Sequence, residues 1–412
     1  MAMTTTGQRL YGADFLRAVA CFTVLFHHLA QRMGSPVNYG PGTEWFRIFT
    51  MIGTSGVAMF FVLSGFLLAR PFWQALDAGE PLPSLKIYAL RRAARILPGF
   101  YLALALGFGL SIAFFGATLD GQLVLRAVVG MLLLSDWHWV TLFPVELNGP
   151  LWSIGFEITS YVLMPLGFLG VFALSRRTGQ GWRTRLLWVG VIGLAILGHW
   201  IFTQTVRPPF KGRGWDHGLI GGAQFWMPRY NPIGFFAMFA IGSLAAGVSV
   251  KLATIRSLWC DFGALLGLGL AVAYLLTVYR AGQYPDGFAW LGAPYGFPLF
   301  HLTLGLFLAF APSSDRLGRL LEPGIVRYLA RISFGIYIYH YLVLDMTKRF
   351  LVPQFDHGQM PDATMFVVTA AGITLVSIGA AHLSFRYLEN PVIQWARGLE
   401  TRRTPTPRPV AA

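Results

Sequence analysis

The chain has 412 residues, of which 55% are hydrophobic and only 12% charged, with a mean hydropathy of +0.56. Long apolar stretches recur from end to end, which excludes an ordinary water-soluble domain and indicates a polytopic membrane protein built as one unit. The formal charge of +14 comes almost wholly from arginine; membrane topology accounts for it without a nucleic-acid partner, provided that the arginines gather on one side.

Apolar runs of spanning length, or close to it, lie near residues 13–32, 46–69, 96–116, 123–142, 151–174, 186–204, 231–249, 258–279, 296–311, 332–352 and 362–385. The first follows a short N-terminus holding only Arg9, with no small-residue cleavage pattern after it, and reads as an uncleaved helix. The fourth carries Arg126, Asp136 and His138 and runs into the turn-rich FPVELNGP. Leaving it out as a half-buried or re-entrant element gives an all-α bundle of about ten transmembrane helices with both termini cytoplasmic. In that arrangement 21 of the 32 basic residues fall on the inner side, among them the RR, RTR and RYLAR clusters. Counting it as a span would invert every later loop against the positive-inside bias.

Arg207, Lys211, Arg213 and Arg229 then remain outside and fit an anionic partner there. Outer-loop aromatics (Trp215, Trp226, Tyr230, Trp290, Tyr295) suit either an interfacial belt or sugar stacking. Asp136 and His138 receive no role. The expected domain is residues 1–390, followed by a cytoplasmic, partly disordered tail, 391–412, that ends in TPTPRPVAA. Cys21 and Cys260 show no metal or disulfide spacing, so no metal ligands are assigned. No Gly-rich phosphate loop, G-x-S-x-G elbow or HExxH is present, so no tightly bound cofactor is expected.

The chemistry concentrates in the first run, DFLRAVACFTVLFHHL. On a helix Arg17 and His28 are eleven residues apart, hence within about 20° of one another and roughly 16 Å apart along the axis, and Asp14 shares the stripe. Charged groups facing lipid cost several kcal/mol each, so such a stripe looks into the bundle interior or a wet cavity. A catalytic or donor-lining role stands beside the plainer one of an interfacial ion pair and a satisfied interior histidine.

Arg17, ten intervening residues and His28, preceded by Asp14, resemble the R-x10-H signature of the membrane acyltransferase-3 family. FFVLSGFLLAR, RRAARILP, LWSIGFEITSYVLMP, ISFGIYIYH and SFRYLENP resemble further family segments in order and spacing. One departure is Ile158, where the family carries a second acid after Glu157.

The resemblance implies an integral membrane O-acyltransferase of the bacterial inner membrane. It would move an acyl group, acetyl foremost, from cytoplasmic acyl-CoA to a hydroxyl of an extracytoplasmic glycan or lipid-linked sugar, with membrane lipids around it and no nucleic acid. On it, His28 is the general base, Glu157 orients the base or binds acceptor, and Asp14 orients Arg17. Arg17, Arg92 and Arg95 bind acyl-CoA, and Tyr337, His340 and Trp152 are possible lining residues. A succinyl or longer-acyl transferase and a non-catalytic transporter remain as alternatives.

Overall fold

Apolar segments withdrawn from water leave backbone N–H and C=O groups no partner but each other, so each run closes its own hydrogen bonds as a helix. The computed structural model of the chain describes residues 10–33, 48, 51–178, 181–255, 257–282, 290–314, 316–353 and 363–401. Among these residues there is no strand. The helices are α1 (Ala13–Arg32), α2 (Ser55–Ala78), α3 (Leu85–Phe115), α4 (Gly121–Met131), α5 (Trp152–Thr178), α6 (Trp182–Thr205), α7 (Gly218–Trp226), α8 (Pro232–Leu252), α9 (Leu258–Arg280), α10 (Leu299–Phe310), α11 (Leu317–Leu321), α12 (Gly324–Phe350), α13 (Ala363–Ser384) and α14 (Asn390–Thr401).

Eight segments among the described residues are long and apolar enough to cross a bilayer: α1, α2, α3, α5, α6, α8, α9 and α13 continued into α14. The 12-residue α10 and the 27-residue α12 pack within the same bundle. The fourth apolar run of the sequence does not cross: α4 has 11 residues, about 16 Å. Its chain breaks at Leu133, where φ is 63°. A single turn, Ser135–Trp137, follows. The strand of chain behind it tucks into the bundle, burying Leu142, Phe143, Val145, Leu147 and Asn148. Arg126 holds this return by donating to the Phe143 carbonyl at 2.7 Å and pairing with Glu146.

At the centre, α2 and α8 cross so closely that a Cβ on Gly65 would lie 1.9 Å from the Phe239 carbonyl oxygen, and one on Gly242 only 1.8 Å from that of Val62. Two glycines facing two backbones are what this approach requires, since membrane helices associate by packing rather than by expelling water. Around this pair, α6 and α9 turn Leu186, Leu194 and Trp259 outward at 69%, 69% and 80% exposure, as lipid-facing helices do.

The helix ends rich in basic residues gather at one end of the bundle. Arg185 at the start of α6 binds Asp77 at the end of α2, and Lys251 at the end of α8 joins them at 3.2 Å. The Ser313 hydroxyl donates to the Leu252 carbonyl, and Asp261 accepts backbone N–H groups of Arg316 and Leu317. Glu322 accepts the Asp14 N–H at the start of α1. Arg91 and Arg95 at the start of α3 pair with Glu400 and Glu389. The described chain therefore starts and finishes at this same end. The expected tail from residue 391 is helical as far as Thr401, because α14 packs beside α3; residues 402–412, with TPTPRPVAA, lie outside the described residues, as does Arg9.

Asp136 is fully buried in the returning segment. The Thr159 hydroxyl donates to its Oδ2 at 2.7 Å, while Oδ1 has no hydrogen-bond partner among the described residues. Desolvation pushes its pKa up from 3.8 to about 6. With the folded value above the unfolded one, the folded state holds the extra proton, so stability is greatest below the unfolded pKa and falls as pH rises through the folded one. Asp136→Asn removes that loss. Thermal unfolding in detergent is expected to show the variant about 1–3 kcal/mol more stable near neutral pH, with the gap closing below about pH 4. A gap that does not vary with pH would refute this account.

Candidate active site

In α1 the charged stripe is real and begins at an anchored helix end. The N-cap, Gly12, is left-handed at φ 83°, and the Asp14 N–H, which no turn of α1 can satisfy, donates to Glu322 at 3.0 Å. A carboxylate from elsewhere in the chain thus caps the helix, suiting its positive N-terminal dipole. The Asp14 carboxylate is buried 3.7 Å from the Arg17 guanidinium.

The stripe faces α12, and the two helices run parallel in a register read off three contacts. The Cys21 thiol meets the Ser333 carbonyl at 3.4 Å, His28 Nδ1 meets His340 Nε2 at 2.9 Å, and Arg32 donates to Asp345 at 3.1 Å. Steps of seven and then four residues on α1 match steps of seven and five on α12, which is what side-by-side helices of equal rise demand. His340 is buried, whereas His28 remains half-buried and accessible.

Near the basic end a second cluster forms. Arg17, Arg92 and Arg95 lie within electrostatic reach of one another and of Tyr161, and Arg17 also of Glu157. Glu157 accepts the Ser64 hydroxyl at 3.0 Å and the Tyr161 hydroxyl, and the Tyr88 hydroxyl donates to the Tyr161 carbonyl at 3.0 Å. The expected pairing of Glu157 with His28 is therefore corrected. The segment before α5 enters the bundle before the helix starts, docking Asn148 on the Ile338 carbonyl at 2.9 Å, so two further turns carry Glu157 to the depth of Arg17 rather than of His28.

The arginines divide. Arg95 donates to Glu389 at 3.2 Å and to the Arg331 carbonyl at 3.0 Å, tying α3 to the ends of α12 and α13. Arg92 has no hydrogen-bonded side-chain partner among the described residues, and its buried Nε is unsatisfied. Trp152 packs in an aromatic cluster with Phe156, Trp226, Tyr230 and Phe235, and this packing takes it out of the candidate lining. The Tyr337 hydroxyl donates to the Pro150 carbonyl at 3.1 Å and meets Ser153 at 2.7 Å, locking α5 to α12 beneath His340. Sequence reasoning missed Tyr161, Tyr341, Arg32 and Asp345. Tyr161 and Arg32 are each one helical turn from a residue already singled out, Glu157 and His28, and that spacing could have found them.

Residues 10–382 match a family model described as an acyltransferase domain. The chain is 24% identical over 405 residues to nodulation protein 10 of Rhizobium leguminosarum bv. viciae, covering 95% of each chain. It is 26% identical over 416 residues to the peptidoglycan O-acetyltransferase OatA of Listeria monocytogenes, covering 95% of this chain and 57% of that one. It is 23% identical over 402 residues to the acyltransferase MdmB of Streptomyces mycarofaciens, covering 94% and 92%. No solved structure matches the chain.

The histidine pair has a defined proton order when both rings are neutral. His340 Nδ1 lies 3.0 Å from the Ile336 carbonyl, which only accepts, so Nδ1 carries the proton and Nε2 carries a lone pair. That lone pair faces His28 Nδ1, which must then be the donor. His28 Nε2 is left as a free base pointing away from α12. Nitrogen-15 NMR of labelled protein is expected to show neutral His28 protonated at Nδ1 alone, and a mixture of tautomers in His340→Ala. A His28 protonated at Nε2 in the wild type would contradict the order.

Proposed function

The chain belongs to the acyltransferase-domain family and is a multi-pass membrane O-acyltransferase, and we propose that it carries an acetyl group from cytoplasmic acyl-CoA to a hydroxyl of an extracytoplasmic glycan or lipid-linked saccharide in a bacterial inner membrane. The positive-inside bias supports assigning the basic end of the bundle, with both chain ends, to the cytoplasm. The glycan acceptor is supported by the activity in the name of one relative, a peptidoglycan O-acetyltransferase.

The observation that carries the reading is one helix, α1, bearing a cation at the basic end and a base with a fixed lone pair farther along the same stripe. Arg92 and Arg17, with Arg95 beside them, supply guanidinium forks for the phosphates of the donor. Asp14 holds Arg17 in place, and Glu157 offsets part of the cluster's positive charge while orienting Ser64 and Tyr161. The pantetheine arm then runs along the stripe towards His28, about 16 Å beyond Arg17.

At His28 the acceptor hydroxyl gives its proton to Nε2 as its oxygen attacks the thioester carbonyl. The C–S bond breaks, and the imidazolium returns the proton to the departing thiolate, leaving an ester, free CoA and a neutral base. The role given to a carboxylate in other histidine bases falls here to His340, whose Nε2 accepts from the Nδ1–H of His28 and supports the positive ring.

Purified protein in nanodiscs with labelled acetyl-CoA tests this. His28→Ala is expected to lower turnover about 10²–10⁴-fold at similar KM for acetyl-CoA. Arg92→Gln is expected to raise that KM about tenfold with little change in kcat. Wild-type turnover in His28→Ala would overturn the assignment of the base.

A further inference from the structure

We propose that Arg32, Tyr341 and Asp345 form the acceptor subsite, and that it takes a ring carrying neighbouring hydroxyls. The inference rests on the preceding reading of His28 as the base and names the substrate class that reading leaves open.

The parallel register sets the three residues directly beyond the histidine pair. Arg32 lies one turn past His28, Asp345 lies just over one turn past His340, and the two meet at 3.1 Å. One aromatic ring joins them to the base. Tyr341 stands edge-on to the His28 ring with centroids 5.1 Å apart, and the Arg32 guanidinium sits 5.6 Å from its centroid. The Tyr341 hydroxyl makes no hydrogen bond among the described residues. The Tyr341 ring lies against the turn before α5, where a Cβ on Gly149 would come 3.9 Å from its hydroxyl-bearing carbon.

Charge separates this end from the donor end. Arg17 lies eleven residues before His28 and Arg32 four after it, so the two cations are about 22 Å apart on one helix. The basic end concentrates three guanidiniums, as a polyanion requires. Here Asp345 is itself 5% exposed, with Arg32 on it and Lys348 buried one turn along the same helix. The Asp345 carboxylate accepts readily from hydroxyl groups. Arg32 and the Tyr341 hydroxyl complement it as donors to ring and hydroxyl oxygens. A hydroxyl held by Asp345 leaves its neighbour on the same ring within reach of His28 Nε2. The Arg32 side chain is 40% exposed, so the pair is open to a ligand.

Transfer from labelled acetyl-CoA to a neutral chito-oligosaccharide tests the assignment in nanodiscs. The wild type is expected to label the neutral saccharide. Asp345→Asn, which keeps the shape, and Tyr341→Phe, which removes only a hydroxyl, are each expected to raise the KM for that saccharide about tenfold or more, with the KM for acetyl-CoA changed less than about twofold. An unchanged saccharide KM in both variants overturns the subsite. A wild type that neither labels a saccharide nor releases CoA refutes the acyl-transfer reading instead, so the two failures are distinguishable.

Discussion

The hydrogen bond between His28 and His340 is the contact on which the rest of the site depends. With the Cys21–Ser333 and Arg32–Asp345 contacts on either side of it, it requires α1 and α12 to run parallel. Parallel neighbours far apart in sequence need an even number of reversals between them, so the whole path of the chain from residue 32 to residue 324 is answerable to this one ring pair. The depth of α12 is pinned independently by Asn148 on the Ile338 carbonyl and by Tyr337 on Pro150 and Ser153. A base whose partner is held by the stretch 148–153 leading into α5 is a base whose lone pair keeps its direction, which is the condition for accepting a proton from a hydroxyl placed from outside.

The same constraint explains how charge is tolerated in the interior. The ionisable groups along α1 fall into two sets, one around Arg17 and one around Arg32, with the histidine pair between. Within each set opposite charges meet: Asp14 with Arg17 and Asp345 with Arg32. Between the sets the contacts are uncharged, so the low-dielectric middle of the bundle carries polar groups that cost least when unpaired from water. Glu322 adds a carboxylate to the N-terminus of α1, where the helix dipole favours it.

Much of this was legible in the sequence, and the limits are physical. The stripe from Asp14 to His28 follows from the 3.6-residue period alone, since all its members sit on one rigid helix. The failure of residues 123–142 to cross was readable because Arg126 and Asp136 have no place in lipid. Positions on different helices were less accessible. Periodicity gives the face of Glu157 but not its depth, and the segment from 142 to 148, buried without being helical, lowers the start of α5 by an amount no spacing rule contains. His340 was recognised only as lining for the same reason: its pairing with His28 needs the relative height of two helices that are 312 positions apart.

The aromatic residues Trp152, Trp226 and Tyr230 show the complementary case. Their chemistry suits a sugar, yet they pack on one another with ring centroids 4.6–5.6 Å apart, so their faces are spent on the protein. Tyr341 has the opposite disposition, with a ring between base and ion pair and a hydroxyl without a protein partner. A residue type identifies what chemistry is possible at a position. Which of its bonding surfaces remain unused in the fold decides whether that chemistry is available to a ligand.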